Sequence, residues 1–302
     1  MRLDGRRTSS NVEDIRGGGF GSDSSSRRMT TGKKGGCLSI ILLIIGAIWY
    51  FKTGDASMLS SSLGGDSQVI EKQQTDNTKN SKANDELAIF ASKILASTED
   101  VWSNIFKQNG LTYQQPKMVI FSDAVNTGCG SASSSTGPFY CSADQKLYLD
   151  LTFFKTMKTQ LGADGDLAYA YVIAHEVGHH IEYLTGVLSK LHNAMNNCRT
   201  EAEANKISVR IELLADFYAG IWGFYENKTF KSFEDGDIEK AINCAHQIGD
   251  DYLQKSAGYK RINAEAFTHG TSAQRMKWLK LGLTTGDMSK ANTILTCDES
   301  QL

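Results

Sequence analysis

Asp166-Leu-Ala-Tyr-Ala-Tyr-Val-Ile-Ala-His175-Glu176-Val-Gly-His179-His180-Ile-Glu-Tyr-Leu184 is the stretch on which the reading of this chain turns. Its pattern is helical. On a helix, positions i and i+4 lie on one face about one turn apart, so the rings of His175 and His179 can share one ion. Glu176 projects beside them and can reach a water on that ion. Imidazole with carboxylate suits zinc, and a catalytic zinc keeps three protein ligands and leaves the fourth position to water.

A third ligand stands downstream in Arg210-Ile-Glu212-Leu-Leu-Ala-Asp216-Phe-Tyr-Ala-Gly220, on another predicted helix. Glu212 and Asp216 are again i and i+4, and Ile211, Leu214, Ala215 and Ala219 around them are apolar. Two acids on a largely buried helix cost free energy unless they are paired or metal-bound. Glu212 is expected to complete the metal shell, with one zinc per chain. Asp216 is expected to accept the free imidazole N–H of a ligand histidine, His175. His180 follows His179 directly and points to a different face, so it reads as a structural or supporting residue. His192 carries no motif, and Glu201 and Glu203 read as solvated acids.

Working outward, helices are expected over roughly 152–161, 166–184, 201–226, 237–254 and 272–282, with an earlier helical run from Asp85 that ends at Asn109-Gly110. Strands are expected at Lys117–Phe121, Phe139–Cys141 and Lys146–Asp150, and Gly128–Thr136 reads as a Gly/Ser-rich loop. A small sheet followed by several helices makes a mostly helical α+β domain over 85–302.

The rest of the chain is unlike this domain. Residues 1–36 are rich in Gly and Ser, contain two Arg pairs and have almost no apolar side chains, so they read as a disordered basic segment. Residues 35–51 hold no charge, and Trp49 and Tyr50 sit where an interfacial belt would lie. The run reaches the lower limit of about 17 residues for a span, and 37–52 is expected to be one uncleaved transmembrane helix. Residues 53–84 lack aromatics and read as a flexible linker. The net charge is +5 over 1–52 and -6 over 85–302. The positive-inside rule then puts the N-terminus in the cytoplasm and the domain outside, on the periplasmic face of the cytoplasmic (inner) membrane. The whole-chain net charge of -2 argues against a nucleic-acid partner.

The sequence resembles the bacterial neutral zinc metallopeptidases, membrane-anchored and of the HExxH/ExxxD type. The likeness runs through Met1-Arg-Leu-Asp-Gly-Arg-Arg-Thr-Ser-Ser-Asn-Val-Glu-Asp14, Gly128-Cys-Gly130, Gly137-Pro-Phe-Tyr-Cys141 and Tyr171–His180. It continues through Ile248-Gly-Asp-Asp251 and Phe267-Thr-His-Gly-Thr-Ser-Ala-Gln-Arg275. It implies a zincin-like fold and peptidase activity. Family members often carry Cys where Phe217 stands, matched by a C-terminal Cys; here Cys297 lacks that partner, which Cys244 could replace.

Three expectations follow for the supporting residues. His269 is the candidate to stabilise the oxyanion, with Tyr252 second; the alternative makes His269 a helix-entry residue, where Thr271 or Ser272 would cap the helix. An extracytoplasmic setting permits disulfides, and Cys129–Cys141 would staple the Gly/Ser-rich loop to its strand, with Cys244–Cys297 possible and Cys198 left free. An extended peptide or protein substrate would add to an edge strand around Lys146–Leu151. The function expected is a membrane-anchored zinc metalloendopeptidase with Glu176 as general base. The alternative is an envelope scaffold or interaction module that binds zinc with little turnover.

Overall fold

The structure, a computed structural model, describes residues 1–17 and 77–302. The expected span at 37–52 lies outside them, as does most of the expected linker. Among the described residues no helix is long and apolar enough to cross a membrane.

The strands are β1 (Val12–Asp14), β2 (Lys117–Phe121), β3 (Ala124–Thr127), β4 (Gly130–Ser133), β5 (Phe139–Cys141) and β6 (Lys146–Asp150). The main sheet runs β1-β2-β6-β5, with β1, β2 and β6 parallel and β5 antiparallel to β6. Alternation along β2 serves two cores. Met118 and Ile120 enter the main one, and Val119 and Phe121 join Val125, Phe139, Cys141 and Tyr148 in a smaller one. The expected Gly/Ser loop covers that second face as the β3–β4 hairpin, followed by a 3-10 turn at Ser134–Thr136. β6 is paired on both sides, so it is not the open edge expected of it; on that side of the sheet the open edge is β5.

Helix α1 (Asn77–Gln108) starts inside the expected linker and buries Ile94, Leu95 and Trp102. After the sheet come α2 (Thr152–Thr156), a π-helical turn (Met157–Leu161), α3 (Asp166–Leu184), α4 (Val187–Asn196) and α5 (Glu201–Phe230). Helices α6 (Asp237–Gln247), α7 (Asp250–Ser256), α8 (Ser272–Thr285) and α9 (Ala291–Thr296) complete the described fold. The single helix expected over 237–254 breaks at Ile248-Gly249. Gly249 abuts the start of α8 so closely that a Cβ there would lie 2.3 Å from the Ser272 nitrogen.

Residues 1–16 correct the expectation of a disordered segment over 1–36: they are built into the domain. β1 pairs with β2, Ser9 is buried, and Arg6 donates to both oxygens of Glu226 at 2.9 and 3.3 Å. Arg7 (2.8 Å), Ser9 Oγ (2.5 Å) and Asn11 Nδ2 (2.8 Å) donate to Glu99. Glu99 on α1 is 1 % exposed and Glu226 on α5 is 0 % exposed. The expectation rested on a shortage of apolar residues. Ordering comes instead from cations meeting buried carboxylates, which would be costly to leave unpaired.

Candidate metal centre

The site begins where α3 crosses α5. A Cβ on Gly178 would lie 2.9 Å from both the Cα and the carbonyl oxygen of Ala215, so only a glycine allows so close a crossing without a shift. The crossing brings Glu212 against the two motif histidines, with Oε2 3.2 Å from His175 Nε2 and Oε1 3.7 Å from His179 Nε2. The three residues offer ligand atoms that all lie within 4.8 Å of one another.

The far side of each imidazole is also occupied. His175 Nδ1 lies 2.8 Å from Asp216 and His179 Nδ1 lies 3.0 Å from Glu182. A neutral imidazole that donates its Nδ1–H to a carboxylate keeps its lone pair on Nε2. Both lone pairs therefore face Glu212, a two-imidazole, one-carboxylate donor set that fits zinc.

Without a cation the site holds protons instead. Burial disfavours a charged His175, but Asp216 and Glu212 outweigh it and raise its pKa to about 10. His179 is raised in the same way, burial being overcome by Glu182. Burial alone would raise Glu212; His269, His175 and His179 instead hold it well below the usual carboxylate range.

Glu176 is buried beside these three candidate ligands. Burial raises its pKa, and the two neighbouring histidines pull the other way. The backbone of Tyr140, on the β5 edge, also favours the charged form. The same Tyr140 donates its hydroxyl to His180 Nδ1 at 2.9 Å while His180 Nε2 donates to the Gln114 carbonyl at 2.7 Å. His180 is therefore a supporting residue, as its register suggests, and what it supports is the edge strand.

Asp216 lies under His175 in a closed network. Arg275 donates from Nε to Oδ2 at 2.8 Å and from Nη2 to Oδ1 at 2.9 Å, and Tyr171 donates to Oδ1 at 2.5 Å. Burial opposes the carboxylate charge, and Arg275 more than offsets it, so the pKa is lowered. Arg275 reaches Asp216 because α5 and α8 touch at Gly220 and Gly282; a Cβ on Gly282 would lie 2.4 Å from the Phe217 carbonyl.

His269 does fold back to the site, with Nε2 3.9 Å from Glu212 Oε2. Asp250 Oδ2 holds its loop by accepting the backbone N–H groups of Thr268, His269 and Gly270 at 2.8, 2.7 and 3.0 Å. The cap of α8 belongs to Thr271, which exchanges hydrogen bonds with Gln274, so His269 is free to face the cleft. Tyr252 instead packs edge-on to His246, at 5.2 Å between ring centres. The cleft over the site has a volume of about 350 Å³; Phe139 and Tyr140 of β5 form one wall, and Val172, Leu188, Ile248 and Leu253 add apolar surface.

The Cys129–Cys141 disulfide is formed. Cys244 and Cys297 are not joined, which corrects that pairing: Cys244 is buried and Cys297 half-buried, each as a free thiol, as is Cys198. Phe217 fills its position fully buried in the core.

Sequence reasoning missed Glu182, Arg275 and Asp250. Glu182 had a local signal, since it lies three residues after His179 on the same helix face. The other two act through long-range contacts.

An HExxH helix whose imidazoles meet a carboxylate from a second helix defines a zinc-metallopeptidase type of site. The chain belongs to the family described as "Putative neutral zinc metallopeptidase", whose model matches residues 1–294. It is 44% identical over 296 residues to the uncharacterized protein YpfJ of Escherichia coli K12, covering 97% of this chain and 98% of that protein. It is 38% identical over 212 residues to the uncharacterized protein Rv2575 of Mycobacterium tuberculosis, covering 67% of this chain and 69% of that protein. No solved structure matches.

Proposed function

We propose that this protein is a zinc-dependent metalloendopeptidase with a zincin-like active site. The observation that supports the reading best is the paired orientation of the histidines: each Nδ1 is turned into a carboxylate and each Nε2 toward Glu212. His175, His179 and Glu212 would hold one zinc per chain. When bound, zinc supplies Lewis-acid polarisation of the scissile carbonyl and acidifies water.

The chain's own residues do the rest. Glu176 takes the proton of the attacking water and returns it to the leaving amine. Its burial favours the protonated form that the second transfer needs. His269 Nε2 donates to the developing oxyanion. Asp216 fixes His175 and Glu182 fixes His179. The substrate peptide adds to β5, not β6, because β5 is the free edge and borders the cleft. The disulfide and the His180–Tyr140 bond hold that edge in place.

The test is cleavage of casein and a broad peptide library by the full chain and by Glu176→Gln. Wild type cleaves, and the variant keeps one zinc per chain while losing about 10²–10⁴-fold in rate. Full activity in Glu176→Gln refutes the mechanism. A zinc-loaded wild type that cleaves nothing supports the scaffold reading in its place.

A further inference from the structure

We infer that residues 1–17 and the domain over 77–302 lie on the same side of any membrane the protein meets.

The constraint is geometric. Val12, Glu13 and Asp14 pair in register with Met118, Val119 and Ile120. Paired strands lie about 4.8 Å apart, whereas the hydrocarbon core of a bilayer is about 30 Å thick. Residues on opposite faces cannot make these bonds. A second copy donating its N-terminal segment in exchange would meet the same limit.

The pairing is more than a strand edge. Arg6 and Arg7 are the cations that meet Glu226 and Glu99, both buried on helices of the domain. Ser9 is buried against Ser92 of α1, its N–H 3.1 Å from the Ser92 hydroxyl. Placing the segment across a membrane would strip two buried carboxylates of their counter-charges, which a fold tolerates poorly.

Of the basic residues before the apolar run, Arg6, Arg7 and Arg16 are already paired with acids: Glu226, Glu99 and Asp100, and Asp14 and Asp85. These three belong to the docked segment, whereas Arg27, Arg28, Lys33 and Lys34 are the basic residues nearest the apolar run. The two-sided arrangement, cytoplasmic N-terminus and periplasmic domain, is incompatible with the docked segment.

The experiment is thiol labelling of the full chain in intact cells, with Cys37, Cys198 and Cys297 replaced by Ser. Single cysteines are placed at exposed sites, Asp4→Cys in the segment and Ser256→Cys in the domain. With a membrane-impermeant maleimide, the two positions label together or are protected together. Labelling of one, with the other reactive only after the membrane is breached, overturns the inference. Independently, Ser9→Cys with Ser92→Cys forms an intramolecular bridge in the membrane fraction on mild oxidation. Absence of that bridge, and of the same bridge formed between two chains, in folded, zinc-binding protein also overturns it.

Discussion

Glu182 offers the most discriminating test, because replacing it with Gln should move two properties in opposite directions. Its carboxylate is fully buried, with Oε2 3.0 Å from His179 Nδ1 and Oε1 without a hydrogen-bond partner. Burial raises its pKa to about 7, against an ordinary value of 4.5, with His179 opposing the rise. An acid with a raised folded-state pKa is less destabilising when protonated, so its charge weighs against the metal-free fold as pH rises from 4.5 through about 7. At pH 8 a neutral isostere removes that penalty, on the order of 3 kcal/mol at about 1.4 kcal/mol per pKa unit. Metal-free Glu182→Gln should therefore melt higher than wild type. Zinc affinity should fall, because the carboxylate no longer strengthens His179 as a ligand. Partners of this kind contribute about 10–100-fold to metal affinity. The assays are thermal melts of chelator-treated protein and zinc competition against a chromophoric chelator. A lower melt with unchanged zinc affinity would make Glu182 a structural acid and refute the reasoning.

The other predictions concern the remaining supports. Glu212→Ala should lose zinc during dialysis, and full occupancy by metal analysis would remove Glu212 from the ligand set. Asp216→Asn should destabilise the protein by about 3–5 kcal/mol, because it leaves Arg275 buried without its counter-charge; unchanged denaturant midpoints would contradict the network. Zinc uptake at pH 8 should release protons, because His175 must give up one held with a pKa of about 10. The raised pKa stabilises the metal-free fold fully below 6.5 and progressively less toward 10; calorimetry in buffers of different ionisation enthalpy counts the protons, and none released would refute it. Cys141→Ser opens a loop of separation 12 and should lower stability by about 3 kcal/mol, with a larger loss of peptide cleavage than of zinc, since β5 borders the cleft while the ligands lie on α3 and α5.

What could be read from the sequence was local. His175 and His179 are one helical turn apart, and so are Glu212 and Asp216, so each pair announces its shared face without any knowledge of the fold. Strand β2 came out at its observed bounds because Pro116 and the apolar run fix it. The N-terminal segment could not be read this way. Arg6 and Glu226 are 220 residues apart, and a window over residues 1–36 shows only a basic, apolar-poor stretch. The hairpin β3–β4 was hidden for a related reason. Its Gly and Ser residues have weak strand preference, and its position depends on the second core it covers.

The motif alone does not explain why the site closes, and three tight contacts do. Gly178 against Ala215 sets how near α3 comes to α5, and so whether Glu212 can meet His175 and His179. Gly220 against Gly282 sets the approach of α8, and so whether Arg275 can neutralise Asp216 beneath His175. Gly249 against Ser272 ends α6 and turns the chain into α7, where Asp250 can gather the His269 loop. Each contact serves a different layer of the proposed site: metal ligand, ligand support, and the group over the substrate. A methyl group at any of them would push backbone against backbone, because the nearest atoms include main-chain atoms that cannot swing aside. In close-packed interiors such overpacking costs about 1–3 kcal/mol and shifts elements by fractions of an ångström. The Glu212–His179 separation of 3.7 Å is already wider than the Glu212–His175 separation of 3.2 Å. Gly178 has the most clearance of the three, 2.9 Å against 2.4 Å at Gly220–Gly282 and 2.3 Å at Gly249, but it is the contact that acts directly on the Glu212–histidine distances, so a shift there falls on the proposed ligand set itself.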